Sequence, residues 1–302
     1  MDIMCKRFIT RLRFSSLSFE ARIILLSLFF LVPTYAIPEL EMSVIKRNIT
    51  AYENFLNEKN QSVFEVDNLV SEFANRNVAD MVIIMQALNL GGYKSKLVMV
   101  EAPNFERELK LLQKGEVVIM HQEIWDDDID EHQDVLFRSE VIIAEGEFIK
   151  GIYTVEENDD VLSIKKRKDV SLFSAVSNKK WRADWEILEK LNLRQLISVS
   201  KREYMVNLAG FRGVDFLLLP FSATPDLSYS FNGLKLVPVQ GIKVVFSGSR
   251  SFALSKKHSS GKQVYEAIQN GLKIMKKKGT IKRYLVESGF FNKQTEDWSI
   301  IK

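Results

Sequence analysis

Thiol chemistry is almost missing from this chain of 302 residues, whose one cysteine is Cys5. Should the chain be cut after Ala36, no thiol remains. Disulfides, thiol nucleophiles and cysteine metal sites are then excluded. Glycine and proline are scarce, 14 and 6 residues, which excludes a fibrous or low-complexity protein. Hydrophobic residues at 46% and charged residues at 27% are ordinary for a globular chain. Charge of one sign is also lacking. The whole chain carries 42 basic and 39 acidic residues, but residues 1–36 hold five of the basic and two of the acidic ones. Residues 37–302 have 37 of each, so no electrostatic attraction to nucleic acid is expected. Catalytic signatures are missing too. There is no Gly-x-Ser-x-Gly elbow, His-Glu-x-x-His pair, phosphate loop or dinucleotide glycine fingerprint, and the three histidines are scattered at 121, 132 and 258.

The N-terminus reads as an export signal. Residues 1–22 are basic and polar, Ile23 to Val32 (IILLSLFFLV) is an apolar run of ten, and Pro33 is followed by Thr34, Tyr35 and Ala36. Charged start, short apolar run and small-residue site are the parts of a secretory signal peptide. Ten residues span about 15 Å as a helix, half of a hydrocarbon core of ~30 Å, which weighs against an uncleaved anchor. Cys5 precedes the apolar run, so it is no lipoprotein cysteine. No later segment reaches the 18 apolar residues of a membrane span.

Beyond residue 36 the hydrophobic pattern alternates between strand and helix. Leu40, Met42 and Val44 alternate as a strand. Residues 78–90 carry a broad helical apolar face behind a candidate cap at Asn77. Short buried strands at 96–100 and 117–120 flank a helix at 105–113. Residues 50–76 are polar and aperiodic and receive no assignment. Strand candidates at 141–144 and 148–153 lead into the polar stretch 156–168, read as a domain boundary. The pattern then restarts with strand 171–176, helix 181–191, strand 196–199, helix 201–209 and strand 214–219. Strands at 242–246 and 251–254 come next. Val264, Ile268, Leu272 and Met275 form a helical stripe ended by Lys276–Gly279, and a last helix covers 280–287. The predicted class is α/β, with two lobes, mostly parallel sheets and a crevice between them.

The segment Val264–Phe291 resembles the C-terminal helix pair of the family 3 extracytoplasmic solute-binding proteins: an apolar helix, a Lys–Gly turn, Thr280, a short helix and an aromatic end. Arg250–Lys257 is similar to that family's strand back into the first lobe, and Leu112–Ile119 to its step from a glycine into a buried strand. Phe137–Ser139 with Gly151–Tyr153 resembles the entry to its crossover, and Gly213–Phe216 the corresponding step in the second lobe. The likeness spans residues 90–291. It implies a type II periplasmic-binding fold with two crossover strands, the first lobe built from 37–153 plus 248–302 and the second from 154–247. It also implies a non-catalytic, cofactor-free periplasmic monomer that closes on a small polar solute, for a membrane transporter or sensor. The rival readings are a dehydratase or hydrolase in the same cleft, and a ligand-free interaction module. Amino-acid binders of this family place an arginine after the first-lobe strand and an aspartate on the ligand amine in the second. Here no arginine follows Met120 closely, and Pro220 stands at the aspartate's place. Recognition of ordinary amino acids is therefore not expected.

His121, Glu123 and Trp125 alternate just past a buried strand, where the chain should emerge at the crevice. They are candidate ligand contacts, against a plain strand end with a packed Trp. Ser177, Asn178 and Lys179 precede a helix and make a candidate anion site, against ordinary capping. Phe221 and Ser222 follow the last second-lobe strand and should line the same crevice. Arg250, near the return crossover, would reach an anionic ligand or form a hinge salt bridge. The acidic run Asp126–Glu131 matches no metal motif and reads as a solvated loop. Cleavage after Ala36 is expected, so N-terminal sequencing of the mature protein should read Ile-Pro-Glu-Leu; Met1 retained on membrane-bound protein would contradict it.

Overall fold

The computed structural model describes residues 37–301 apart from Arg212 and Asn232. The export segment and its cleavage site lie outside the described residues. Among the described residues no helix is long and apolar enough to cross a membrane.

Strand β1 (Glu39–Ile45) buries Leu40, Met42 and Val44, the predicted alternation. It runs directly into α1 (Lys46–Lys59), which the sequence did not reveal. The helix turns only Asn48, Tyr52 and Phe55 inward, too few apolar positions to mark an amphipathic stripe. Helix α2 (Arg76–Leu90) starts two residues earlier than predicted. Its cap is Asn75, whose side chain accepts from the backbone N–H groups of Asn77 and Val78. Strand β2 (Lys96–Ala102) and α3 (Phe105–Lys114) follow. Asn104 caps α3 by accepting from Arg107 N–H at 2.9 Å, and Gly115 ends it at φ 77°, a conformation that favours glycine. Then come β3 (Ile119–Met120), β4 (Ile124–Trp125), α4 (Asp126–Asp130), β5 (Leu136–Ile143) and β6 (Ile149–Val155).

Two short helices, α5 (Asp159–Leu162) and α6 (Arg167–Val170), fill the predicted boundary stretch. The pattern restarts as expected with β7 (Ser174–Ser177), α7 (Arg182–Lys190), β8 (Gln195–Ser198), α8 (Arg202–Gly210) and β9 (Phe216–Leu219). The hairpin of β10 (Tyr229–Phe231) and β11 (Leu234–Pro238) leads to β12 (Ile242–Val245) and β13 (Arg250–Ser255). Helix α9 (Gly261–Lys277), α10 (Thr280–Glu287) and β14 (Ser299–Ile301) complete the chain.

The strands form two sheets, and the two repeat one plan. In the first, β2, β1 and β3 are parallel, β13 adds antiparallel to β3, and β5 adds antiparallel to β13. In the second, β8, β7 and β9 are parallel, β6 adds antiparallel to β9, and β11 adds antiparallel to β6. The fourth strand of each sheet thus arrives from the other half of the chain. Register runs unbroken from Glu39 opposite Lys96 to Ile45 opposite Ala102, and from Ser174 opposite Gln195 to Ser177 opposite Ser198. The result is a two-lobed mixed α/β fold. Its pairing departs from the expected division at two places. Strand β6 belongs to the second sheet from Ile149 onward, and β14 joins that sheet beside β12.

The predicted stripe Val264, Ile268, Leu272 and Met275 is buried. Each such side chain contributes roughly 1.5–3 kcal/mol. Helix α9 lies so close on α2 that a Cβ at Gly271 would stand 1.8 Å from the Ala87 carbonyl oxygen, and one at Gly91 1.9 Å from that of Ala267. Only glycine admits this approach. Gly271→Val should therefore cost about 2 kcal/mol or more by overpacking. Urea unfolding measures it, and an unchanged midpoint would show that the two helices separate freely.

Candidate functional site

A cavity of about 580 Å³ lies where the carboxyl ends of the parallel strands of both sheets meet. The first sheet contributes Ile45 at the end of β1 and Trp125, the second Ser177 and Leu219 at the ends of β7 and β9. Parallel strands put helix N-termini at this edge, so the starts of α1, α2, α3, α7 and α8 all face the cavity.

Its floor rests on Glu123, which is fully buried. The carboxylate accepts a hydrogen bond from Arg76 at the first position of α2, and from Arg250 Nε at 3.1 Å; a second Arg250 N–H reaches the Glu123 carbonyl at 2.7 Å. Both guanidiniums lie against Phe148, their centres 5.6 and 4.7 Å from its ring, and Arg250 also covers Trp125 at 4.4 Å. Behind Glu123 sits Asp80, also fully buried. Neither Asp80 oxygen, nor Glu123 Oε2, has a hydrogen-bond donor elsewhere. The two carboxyls therefore share a proton, and its position follows from their surroundings. Burial, then the Glu123 charge, push Asp80 well above the usual carboxylate range, and the two arginines offset only part of this. Burial would raise Glu123 as well, but the Arg76 and Arg250 charges outweigh it and bring Glu123 down to about 2. The opposite directions of the two shifts make Asp80 the protonated member of the pair and Glu123 the ionised one.

The candidates read from sequence are dispersed. His121 is fully buried and does not line the cavity. Asn48 donates to its Nε2 at 2.7 Å, which leaves Nδ1–H to donate to Glu108 at 2.7 Å. The expected common face of His121, Glu123 and Trp125 is broken because β3 ends at Met120 and the chain bends before β4. Trp125 does line the cavity, but its ring is engaged by the protein: Phe246 stacks at 5.9 Å and Phe148 meets it edge-on at 5.1 Å. Ser177, Asn178 and Arg250 line the cavity. Lys179 is exposed and does not line it; its neighbour Lys180 does. Phe221 and Ser222 turn toward the C-terminal segment, Phe221 against Trp298 at 5.1 Å and the Ser222 carbonyl accepting from Asn292 at 3.0 Å. Of that turn only Pro220 reaches the cavity. Asp126–Glu131 is largely helical, with Asp127 and Asp128 paired to Arg182 and Asp130 to Arg138. Among the described residues no three metal-binding side chains are grouped to hold an ion.

The cavity brings in cations that sequence reading passed over: Arg47, Arg76, Lys150, Arg182 and Arg202. Four of these stand in the first turn of α1, α2, α7 or α8, where the helix dipole disfavours positive charge by roughly 0.3–1 kcal/mol each. That misplacement was a readable signal. Lys150 and Asp184 form a buried ion pair beneath Phe246. Arg182 of the second lobe reaches Asp128 of the first at 2.9 Å, across the cleft.

No protein-family model and no curated protein matches the sequence. Solved structures do resemble it, each over 83% of this chain. A probable amino-acid ABC transporter extracellular-binding protein from Bacillus subtilis aligns at 14% identity and TM-score 0.57, over 97% of its own length. An amino-acid ABC transporter substrate-binding protein from Streptococcus pneumoniae bound to L-arginine aligns at 18% identity and TM-score 0.54, over 93% of its length. The BvgS periplasmic domain of B. pertussis aligns at 11% identity and TM-score 0.52, over 43% of its chain. These likenesses establish the type II periplasmic-binding fold.

The proton shared by Asp80 and Glu123 sets a pH dependence. With its folded-state pKa raised, Asp80 lowers stability as pH climbs from about 4 through that raised value. Glu123, with its pKa depressed, adds stability above its unfolded value that is lost as pH falls toward 2. Asp80→Asn keeps the donor and removes the titrating proton, so its melting temperature at pH 8 should equal or exceed that of the parent, and the decline above pH 4 should flatten. Glu123→Gln leaves two buried guanidiniums facing a neutral group and should cost about 3 kcal/mol. Thermal melts from pH 4 to 9 measure both; an Asp80→Asn curve parallel to the parent's would contradict the shared proton.

Proposed function

We propose that this chain is an exported, non-catalytic solute-binding protein that encloses one small polar solute between its lobes. The observation that carries the reading is the cavity itself. At about 580 Å³ it suits a small molecule, its walls come from both sheets, and the Arg182–Asp128 ion pair joins those walls. By their sheets, β1 to β5 with β13 form the first lobe and β6 to β12 with β14 the second, joined through the two crossovers that lead into β6 and β13. Hinge closure about these crossovers, with Phe148 and Phe246 packed beside them, is how such a protein traps its solute. The protein is a periplasmic monomer that serves a membrane transporter or a sensor; two transporter binding proteins and a periplasmic domain among the structural neighbours support solute binding outside the cytoplasm. His121 and Glu108 are sealed away from the cavity, so this pair offers no acid–base chemistry there.

Ordinary amino acids fit the site poorly. Pro220 lines the cavity where an ammonium-binding acid would stand, and the nearby carboxylates Asp128 and Asp184 are already paired with Arg182 and Lys150. Native mass spectrometry of protein purified from its host should show one small molecule retained per chain, released on denaturation. No retained molecule, together with no thermal stabilisation by any member of a metabolite library, would overturn the reading.

A further inference from the structure

The cavity has a surplus of positive charge. Eight basic and four acidic side chains line it, and the carboxyl pair below the floor adds one negative charge, leaving a surplus of three. The lining acids are accounted for locally. Asp128 and Asp184 are in ion pairs, while Glu106 and Glu203 stand in the first turns of α3 and α8, where the helix dipole favours them. The cations are not. Arg47, Lys180, Lys201 and Arg202 have no carboxylate within ion-pair distance among the described residues. Arg202 Nε is buried with no hydrogen-bond acceptor, although the guanidinium lies 5.3 Å from the Phe231 ring. Burial depresses the Arg202 pKa, and the Arg47 charge on the opposite lobe lowers it further. Two like charges thus confront each other across the cleft. Arg76 spends one N–H on Glu123 and lies at the cavity wall with its remaining donors unengaged by other side chains.

Resting on the solute-binding reading, we propose that the solute is a small organic dianion without an ammonium group, held by Arg76 of the first lobe and Arg202 of the second. Guanidinium groups suit carboxylate or phosphate oxygens because they offer paired donors in one plane. An anion bound between them satisfies the orphaned Arg202 donor, offsets the repulsion from Arg47 and draws the lobes together. A zwitterion brings a positive charge into a site that already has too many.

The test is calorimetric titration of the purified full chain at low and at 0.5 M salt. Succinate and glycerol 3-phosphate serve as dicarboxylate and phosphate-ester probes, with succinamide, L-arginine and glucose as comparators. One of the two dianions should bind in the micromolar range, at least tenfold tighter than every comparator, and weaken with salt; which one binds distinguishes the two anion chemistries. Arg202→Gln should leave the ligand-free melting temperature unchanged or higher, since that side chain has no ion pair to lose and its charge faces that of Arg47, and should weaken binding at least tenfold. Arg76→Gln should weaken it similarly, with some loss of stability through Glu123. Tighter binding of a comparator, or a dianion affinity indifferent to Arg202→Gln, overturns the dianion while leaving solute binding intact. If both dianions fail to bind, the proposal falls. If the metabolite library and native mass spectrometry are also blank, the solute-binding reading falls with it.

Discussion

A single buried carboxylate, Glu123, holds together three segments that are far apart in the chain. Arg76 begins α2, Arg250 begins β13 on the return from the second lobe, and Glu123 sits on the bend between β3 and β4. Two guanidiniums cannot be brought to a low-dielectric floor without a counter-charge, and removing a partner from such a group costs several kcal/mol. Asp80 supplies the shape of a second carboxylate while keeping its proton. The cluster therefore carries two positive charges against one negative, and its surplus lies toward the cavity.

The sheet plan explains why the cavity is where it is. In both lobes three parallel strands deliver the chain to the same edge, and a helix starts after most of them. The antiparallel fourth strands, β13 and β6, are the products of the two crossovers, so each lobe's sheet is completed by chain coming from the other. Crossover and sheet are one construction. The aromatic rings at the crossovers, Trp125, Phe148 and Phe246, pack on one another with the Arg250 and Lys150 cations against them. Rigid packing there fixes the floor while the outer walls of the cleft come from different lobes.

Much of this frame was legible in the sequence. The repeated strand–helix alternation, the stripe Val264–Met275 and the glycine stop at 279 are local signals with direct physical meaning, and each corresponds to an element. Helix α1 escaped because only Asn48, Tyr52 and Phe55 of its residues are buried, too few to mark a stripe among the charged and amide side chains around them. The β10–β11 hairpin escaped although Asn-Gly at 232–233 is the usual two-residue hairpin signal. The site was harder. Alternation placed His121, Glu123 and Trp125 on one face, but the bend after Met120 sends His121 toward Glu108 and Asn48 in the core. Phe221 and Ser222 were read from strand position alone, which does not reveal that the C-terminal segment packs over them. The cleft arginines come from four helices and were invisible as a motif. Their one sequence trace is that each sits in a helix's first turn, against the dipole. A local rule broken four times at one sheet edge points to an interaction outside the helices themselves.

Everything at the cavity floor depends on Glu123 holding the Arg250 guanidinium fixed. Arginine side-chain Nε–H resonances in a 15N-labelled sample test this most directly, because an Hε held by a buried carboxylate exchanges slowly with water while a solvated one exchanges too fast to see. Arg250 should give a slow, sharp Nε–H signal at neutral pH that disappears in Glu123→Gln. A signal for Arg250 that exchanges as fast as those of surface arginines, or one that survives Glu123→Gln unchanged, would contradict it.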